Sequence, residues 1–366
     1  MAIHLSDLNI ESFRGIDKLE VKSLNHINII AGDNNCGKTS VLEAMLLLRN
    51  PESFSNVLQV ANIRRQMVLR NSESLFNSFL NLFHLDKAAK GNISIVSSYN
   101  NKKVSLLLSG EVKRFLVDVN DYKNDNTNGL TMHIPSEVLG FEGFHSWQTD
   151  NSLITKKILF KEFDKIESIS LKKENILNIV YLAPFDHLRG NSFSRIINDE
   201  DYKYLCIQIL KLFDSNIEDI LLTQGENDVY PTESIRHKSL GIMSLSTFGD
   251  GIKKVISIAS KIAEAANGIL MIDEIETAIH SKYYDKIFRF IISACNKFNV
   301  QLFITTHSIE AIDALLEIQD YSHNETDNLS VITLKKESDK PRTFSRVLSG
   351  ARVFENREQF NFEVRL

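Results

Sequence analysis

The 366-residue chain is 43% hydrophobic and 24% charged, with a formal net charge of −5. This is the balance of a globular protein with one large or two to three modest domains. It excludes a surface that is basic everywhere, so any nucleic-acid groove must come from locally clustered Lys and Arg.

Three cysteines, Cys36, Cys206 and Cys295, stand far apart, which argues against a zinc site and for a reducing compartment. The first seven residues lack the basic-then-apolar pattern of a signal peptide, and no apolar run approaches membrane-spanning length. The expectation is a cytoplasmic protein that makes no use of a membrane.

Residues 8–16 alternate apolar and polar side chains, and Leu19-Glu20-Val21 makes a second strand-like piece. An apolar strand at 27–30 then stops at Gly32, and Gly32-Asp33-Asn34-Asn35-Cys36-Gly37-Lys38-Thr39 reads G-x-x-x-x-G-K-[ST]. Ser40 and a helical run, 41–47, come next. A strand before this pattern and a helix after it are the context of a phosphate-binding loop. Two short strands just ahead of it suggest an antiparallel flap covering the nucleotide. Glycines let backbone N–H groups turn toward a polyphosphate, and the helix N-terminus adds its positive end. Lys38 is placed to reach the β- and γ-phosphates, and the Thr39 hydroxyl to ligate Mg²⁺. By chance the pattern should occur in on the order of one chain per hundred of this length. Cys36 reads as a variable position whose alkylation, blocked by nucleotide, would locate the ligand.

Asn50-Pro51 marks a break. Val60, Ile63, Met67, Leu75, Phe79, Leu82 and Phe83 are spaced helically across 57–85, with Arg64, Arg65 and Arg70 among them. These arginines form either a solvated face or a contact for DNA phosphates. From 92 to 121 the period is two, with hairpins expected at Asn100-Asn101 and at Ser109-Gly110. Residues 121–128 read as a polar loop, and Trp147 as a packing residue in an otherwise uninformative stretch. Lys156, Lys157, Lys161, Lys172 and Lys173 accompany strand-like alternation over 154–171, as ordinary edge protection or as a basic patch. No sustained heptads occur between 51 and 170, which excludes a long coiled coil.

Residues 178–184 read as a buried strand ending at a proline, and 199–222 as two short helices capped by Asp199. The acids Asp199, Glu200 and Asp201 suit a helix dipole better than a metal. Gly249, Asp250 and Gly251 open a helix through Val255, Ile258, Ala259 and Ile262, forming an anion site or a plain cap. Residues 268–272 make a buried strand that ends in Asp273-Glu274. Adjacent carboxylates there need a cation or a proton to handle, so Asp273 suits Mg²⁺ and Glu274 a water to be polarised. After a helix at 282–298, a second buried strand runs from Val300 to Thr305-Thr306-His307-Ser308, and a helix comes after it. Two strands and a short helix close the chain.

Taken in order, Ile10-Glu11-Ser12-Phe13-Arg14-Gly15-Ile16, the phosphate loop, the Gly-Asp-Gly turn, Asp273-Glu274-Ile275-Glu276 with His280, and Thr305-Thr306-His307-Ser308 resemble ABC-type ATPases of the SMC, Rad50, RecF and OLD group. The resemblance covers 3–50 and 178–366. It implies an α/β fold, an ABC-type P-loop ATPase domain with a mixed sheet flanked by helices and an α/β insertion between phosphate loop and signature helix. The expected parts are 1–50, an insertion over 51–175, and 176–366. It implies ATP and Mg²⁺, with nucleotide contacts from Arg14, Gly32, Asp33, Asn34, Asn35, Cys36, Gly37, Lys38, Thr39 and Ser40. An exposed strand arginine is the alternative for Arg14. Thr39 and Asp273 would hold the metal; Glu274, His307 and Lys38 would be catalytic, with His307 as the switch histidine.

Gly249, Asp250 and Gly251 would reach the γ-phosphate bound by a second copy, although the usual signature serine has no certain match between Ser246 and Thr247. Glu276 and His280 are secondary candidates for the dimer face, with plain surface polarity as the alternative. The relatives in pattern imply a homo-oligomer, at least a dimer, working with a separate effector such as a nuclease in anti-phage defence. No Toprim nuclease domain is expected after the ATPase lobe. A nucleotide-gated scaffold with slow hydrolysis, and a RecF-like DNA repair ATPase that binds DNA, are the alternatives.

Overall fold

A computed structural model describes residues 3–66, 73–84, 89–118, 135–149, 152–164, 177–188, 193–224, 230–319, 321, 327–336, 343–360 and 363–364. Strands β1 (Leu5–Phe13), β2 (Ile16–Val21) and β3 (Ile27–Gly32) lead into helices α1 (Lys38–Leu47), α2 (Phe54–Gln66) and α3 (Leu75–Leu80). Four long strands come after them: β4 (Lys90–Tyr99), β5 (Lys102–Asp118), β6 (Pro135–Thr149) and β7 (Ser152–Lys161). Next come β8 (Ile179–Leu182), α4 (Ser194–Ile197), α5 (Glu200–Leu210), β9 (Ile217–Thr223), β10 (Thr232–His237) and β11 (Gly241–Ser244). The chain then alternates through α6 (Asp250–Glu264), β12 (Ile269–Ile272), α7 (Tyr284–Lys297), β13 (Gln301–Thr305) and α8 (Ile309–Glu317), and ends in β14 (Leu329–Lys336), β15 (Thr343–Ser349) and α9 (Gly350–Phe360).

The mixed sheet has the order β15-β14-β3-β13-β12-β8, with β15 antiparallel and the other neighbours parallel. Its inner strands are apolar on both faces because both faces are covered. Leu270 and Ile272 of β12 pack against α5 to α8, while Ile269 and Met271 point to the layer with α1 and the antiparallel strands. Each such fully buried Ile or Leu contributes about 1.5–3 kcal/mol. This is the α/β mixed sheet flanked by helices that the sequence led us to expect.

The two flap strands belong to a second sheet, ordered β2-β1-β4-β5-β6-β7, so strands from 51–175 continue the sheet begun before the phosphate loop. One buried amide ties this sheet to the first. Gln301 Oε1 accepts from the backbone of His4 and Leu5, and its Nε2 donates to the carbonyls of Leu5 and Asn25. The hairpin at Asn100-Asn101 is present, both residues having positive φ (48° and 63°), as tight antiparallel turns require.

The hairpin expected at Ser109-Gly110 is not there, because β5 runs straight through it. Gly110 lies opposite Gly91 and Gly143, and a Cβ on it would meet the Phe141 ring and the Glu142 carbonyl. The glycine serves close approach, not a turn. Trp147 is a packing residue as expected, buried on β6, a strand that sequence reading did not find.

The 199–222 segment begins as the expected helix, with Asp199 Oδ1 accepting from Tyr202 N. Its second half is strand β9, which pairs with β10 in a three-stranded sheet, β11-β10-β9. Buried Ile217 and Ile220 sit three apart, a spacing that mimics a helix when the partner strand is unknown. Met67, Arg70, the 121–128 loop, Lys172 and Lys173 lie outside the described residues. Among the described residues, no helix is long and apolar enough to cross a membrane.

Candidate functional site

The phosphate loop leaves β3 through Gly32 and enters α1 through Gly37, with φ of +144° and +105°. A side chain on Gly32 would strike the Leu334 carbonyl, so that position needs glycine for space as well as conformation. Asn35 also has positive φ (64°). Asp33, Asn34 and Asn35 are exposed, while Lys38 and Ser40 are buried. Lys38 Nζ donates to the carbonyls of Gly32 (2.8 Å) and Asp33 (2.9 Å), which holds the ammonium across the loop. Cys36 is also buried, and burial pushes its thiol pKa up. A protonated, covered thiol reacts slowly, so alkylation there is a poor reporter of nucleotide, contrary to the sequence-based expectation.

Asp273 ends β12 and is 2% exposed. Three hydroxyls donate to its carboxylate: Thr39 (3.0 Å), Tyr181 (3.0 Å) and Thr305 (2.5 Å). They arrive from α1, β8 and β13, whose ends the sheet order brings together. Thr39 and Asp273, predicted as metal ligands, therefore meet. Among the described residues no group of three or more His, Cys, Asp and Glu could hold a metal. An oxygen set of one carboxylate and one hydroxyl, completed by phosphates and water, is what Mg²⁺ takes, so these residues fit it. Burial and the negative field of Asp273 keep the Tyr181 phenol protonated well above its usual range.

Glu274 is next in the chain, with φ of +49°, an unfavourable conformation for a side-chain-bearing residue. Its N–H donates to Thr305 Oγ1 at 2.8 Å, so Thr305 links the two acids. His307 is half exposed, and Glu276 Oε1 accepts from its backbone N–H and lies 2.9 Å from Nδ1. Glu276 thus orients the candidate switch histidine from a nearly covered position. His280 is exposed, and its Nδ1 accepts from Lys282 N.

Arg14, at the β1–β2 turn, reaches Glu43 on α1 (Nε to Oε2, 2.8 Å), and Glu43 is fully buried. Arg64 of α2 holds the same carboxylate through two bonds (2.7 and 2.8 Å) and donates to Ser40 Oγ (3.0 Å). The two arginines clamp the helix that carries Lys38 and Thr39. By sequence Arg64 is only a member of a basic face and Thr305 only the first residue of the run that holds His307; Glu43 and Tyr181 carry no signal there beyond being polar residues in apolar runs.

Gly249 caps α6 and faces open space, while a Cβ on Gly251 would meet the Phe213 ring and the Ala278 carbonyl. Asp250 is exposed and paired with Lys253 at 3.3 Å. One turn on, Lys254 is fully buried, and its Nζ donates to the Pro184 carbonyl at 3.1 Å. Burial pulls its pKa down to about 8, against the fields of Asp186, Asp273, Glu276 and Glu274. A lysine on the apolar stripe of Ile258 and Ile262 is the signal that could have found it.

The family described as "AAA domain, putative AbiEii toxin, Type IV TA system" matches residues 27–313. The chain is 23% identical over 344 residues to an ATP/GTP phosphatase of Helicobacter pylori, spanning 87% of this chain and 90% of that one. It is 21% identical over 365 residues to the DNA replication and repair protein RecF of Pseudoalteromonas translucida, spanning 86% and 94%. Its fold is similar to a solved SMC head bound to the C-winged helix domain of ScpA, with a TM-score of 0.51 over 96% of this chain and 100% of that one, at 12% identity. A likeness at that identity speaks for the fold alone. Phosphate loop, hydroxyl-ringed Asp273 and family match agree: the chain belongs to this AAA-domain family and is an ATPase, with a fold similar to that of an SMC head.

Proposed function

We propose that two copies of the chain meet head to tail and hydrolyse two ATP molecules between them, the assembly gating a separate effector, such as a nuclease, in anti-phage defence. The observation that carries this reading is a division within one chain. Lys38, Thr39, Asp273, Glu274 and His307 converge at the ends of β3, β12 and β13, whereas the 249–251 turn packs on Phe213 and Ala278 and leaves Gly249 facing outward. Lys38 binds the β- and γ-phosphates once its bonds to the loop carbonyls are exchanged for them. Thr39 and Asp273 hold Mg²⁺, which supplies charge neutralisation on the phosphate oxygens. Glu274 accepts the proton of the attacking water, and His307, oriented by Glu276, contacts the γ-phosphate. The partner's copy of the signature turn closes the site against solvent, raising the worth of every charge inside it.

Glu274→Gln tests this reading. Turnover should fall about 100- to 10,000-fold, while ATP binding persists and light scattering reports an ATP-dependent dimer. Unchanged turnover, or a chain that stays monomeric with ATP, sinks the composite site. A second reading, a DNA-linked repair ATPase, is favoured by a cavity of about 570 Å³ whose wall includes Arg14, Arg64 and Arg65. It requires hydrolysis stimulated by DNA, with affinity falling steeply as salt rises.

A further inference from the structure

A second cavity, of about 400 Å³, opens at the outer edge of the mixed sheet between α1, α2, β8 and α6. Its size is that of small-molecule sites, and none of residues 32–40, Asp273 or Glu274 lines it. The walls are partly apolar, from Leu46, Ile63 and Ile179, and the polar groups are unevenly matched. Lys261 and Glu264 pair with each other at 2.9 Å. Arg49 has amide partners only, its Nη2 donating to Asn56 Oδ1 (3.0 Å) and Gln59 Oε1 (2.9 Å). Among the described residues no carboxylate lies within 4.0 Å of it, and its Nε is buried without an acceptor. Asn62 Oδ1, on the same wall, is buried without a donor. Glu264 acts on Arg49 only from beyond ion-pairing distance, and burial still lowers the Arg49 pKa. A desolvated cation with no described carboxylate against it and an amide oxygen without a donor are each costly, and one ligand can satisfy both.

We propose that this cavity is an effector site for a small organic anion, a carboxylate or phosphate that also carries an N–H or O–H donor, with Arg49 holding the charge and Asn62 the donor. Tyr181 makes the link to the nucleotide site. It lines the cavity and donates its hydroxyl to Asp273 Oδ2 at 3.0 Å. Helix α1, on the same wall, also begins at the site, with Lys38. A ligand that binds one arrangement of these elements better than another shifts hydrolysis by that difference in affinity. This coupling, unlike the binding itself, rests on the proposed assignment of Asp273 as the metal ligand.

The test labels the full chain at Ile63→Cys, the native cysteines being buried. With each rate scaled to that of a free small thiol, sulfonatoethyl methanethiosulfonate should react at least about fivefold faster than the trimethylammonium reagent, and Arg49→Gln should remove the difference. The tethered sulfonate should change kcat for ATP several-fold where a methyl adduct does not, and Tyr181→Phe should erase that change. Equal reagent rates with Arg49 present overturn the site, and a sulfonate adduct with unaltered kcat overturns the coupling. The rates are read without nucleotide, so failure of the composite hydrolysis site leaves them standing. If Ile63→Cys does not fold, thermal unfolding of the unsubstituted chain replaces labelling. Malonate or methylphosphonate, but not malonamide, should raise its midpoint, the more effective one naming the head group, and Arg49→Gln should abolish the rise. Equal midpoints in all three overturn the site.

Discussion

The mixed sheet gathers acids and hydroxyls at the carboxyl ends of two strands, the antiparallel sheet buries two polar rings within one strand, and the satisfaction of these two groups differs. At the carboxyl ends of β12 and β13, Asp273 collects three hydroxyls and Thr305 serves two acids at once. Toward the end of β6, His145 and Trp147 lie side by side, and the Nε atom of each is buried without a partner among the described residues. A parallel sheet covered on both faces exposes its chemistry only where strands stop, so polar residues gather there and bind one another. The antiparallel sheet acts as support, and these two buried nitrogens have packing neighbours instead of partners. The two layers are joined where Arg14 of one and Arg64 of α2 grip Glu43 of the phosphate-loop helix.

Breaking that joint should have the largest effect on stability. Glu43→Ala leaves Arg14, 9% exposed, without its counter-ion and should cost about 3–5 kcal/mol, measured as a lower urea midpoint. If the cost is within about 0.5 kcal/mol, the two layers are not coupled through this cluster. Next is His145, whose pKa burial pulls down to about 4, with the Lys156 charge adding to the fall and a Pro51 hydrogen bond opposing it. The folded chain holds this histidine neutral while the unfolded chain takes up a proton below its ordinary value of about 6.5. Stability should therefore decline as pH drops from about 6.5 to about 4, by about 3 kcal/mol in all, and then level. His145→Leu should flatten that limb in pH-dependent unfolding. An unchanged limb would place the acid sensitivity in the mixed sheet instead.

Smaller again is Gly110→Ala. The added Cβ meets the Phe141 ring and the Glu142 carbonyl and should cost about 1–3 kcal/mol in denaturant melts, with ATP turnover per folded molecule unchanged. A loss of turnover at full folding would show that the antiparallel sheet takes part in chemistry. The smallest effect belongs to Arg114→Ala on the exposed face of β5. Its pair with Glu137 is open to water on both sides, and the loss should stay under about 0.5 kcal/mol.

The mixed sheet was legible because its strands are short apolar runs closed by polar residues, so Asp273-Glu274 and Thr306-His307 marked where two strands end and suggested the roles proposed above. The support layer was less so. Gly110 looked like a turn because a glycine that allows close strand approach and one that allows a hairpin have the same appearance until the partner strand is known. The β6 strand was missed for a related reason: polar His145 on its buried face and apolar Phe144 on its exposed one break the alternation by which a half-buried strand is recognised. Residues 217–222 looked helical because two buried isoleucines three apart satisfy either period. Glu276, whose plainest reading by sequence is surface polarity, holds His307 because the chain turns back after β12 and brings the two side chains together.

By itself the sequence determined the phosphate loop and the acidic strand end, and pointed to the His307 segment as a candidate switch. Each is chemistry done by contiguous residues, whose backbone geometry is set by local glycines and by the strand or helix beside them. Only the tertiary structure decided who serves whom: Tyr181 and Thr305 on Asp273, Arg14 and Arg64 on Glu43, Lys254 beneath the acids. The pairings span 21 residues of chain between Arg64 and Glu43, 92 between Tyr181 and Asp273, and 234 between Thr39 and Asp273. Those to Asp273 come from the strand order β3-β13-β12-β8, which sets neighbouring strands about 4.8 Å apart. No local periodicity encodes which strands become neighbours, because that choice is made by burying both faces of the sheet at once.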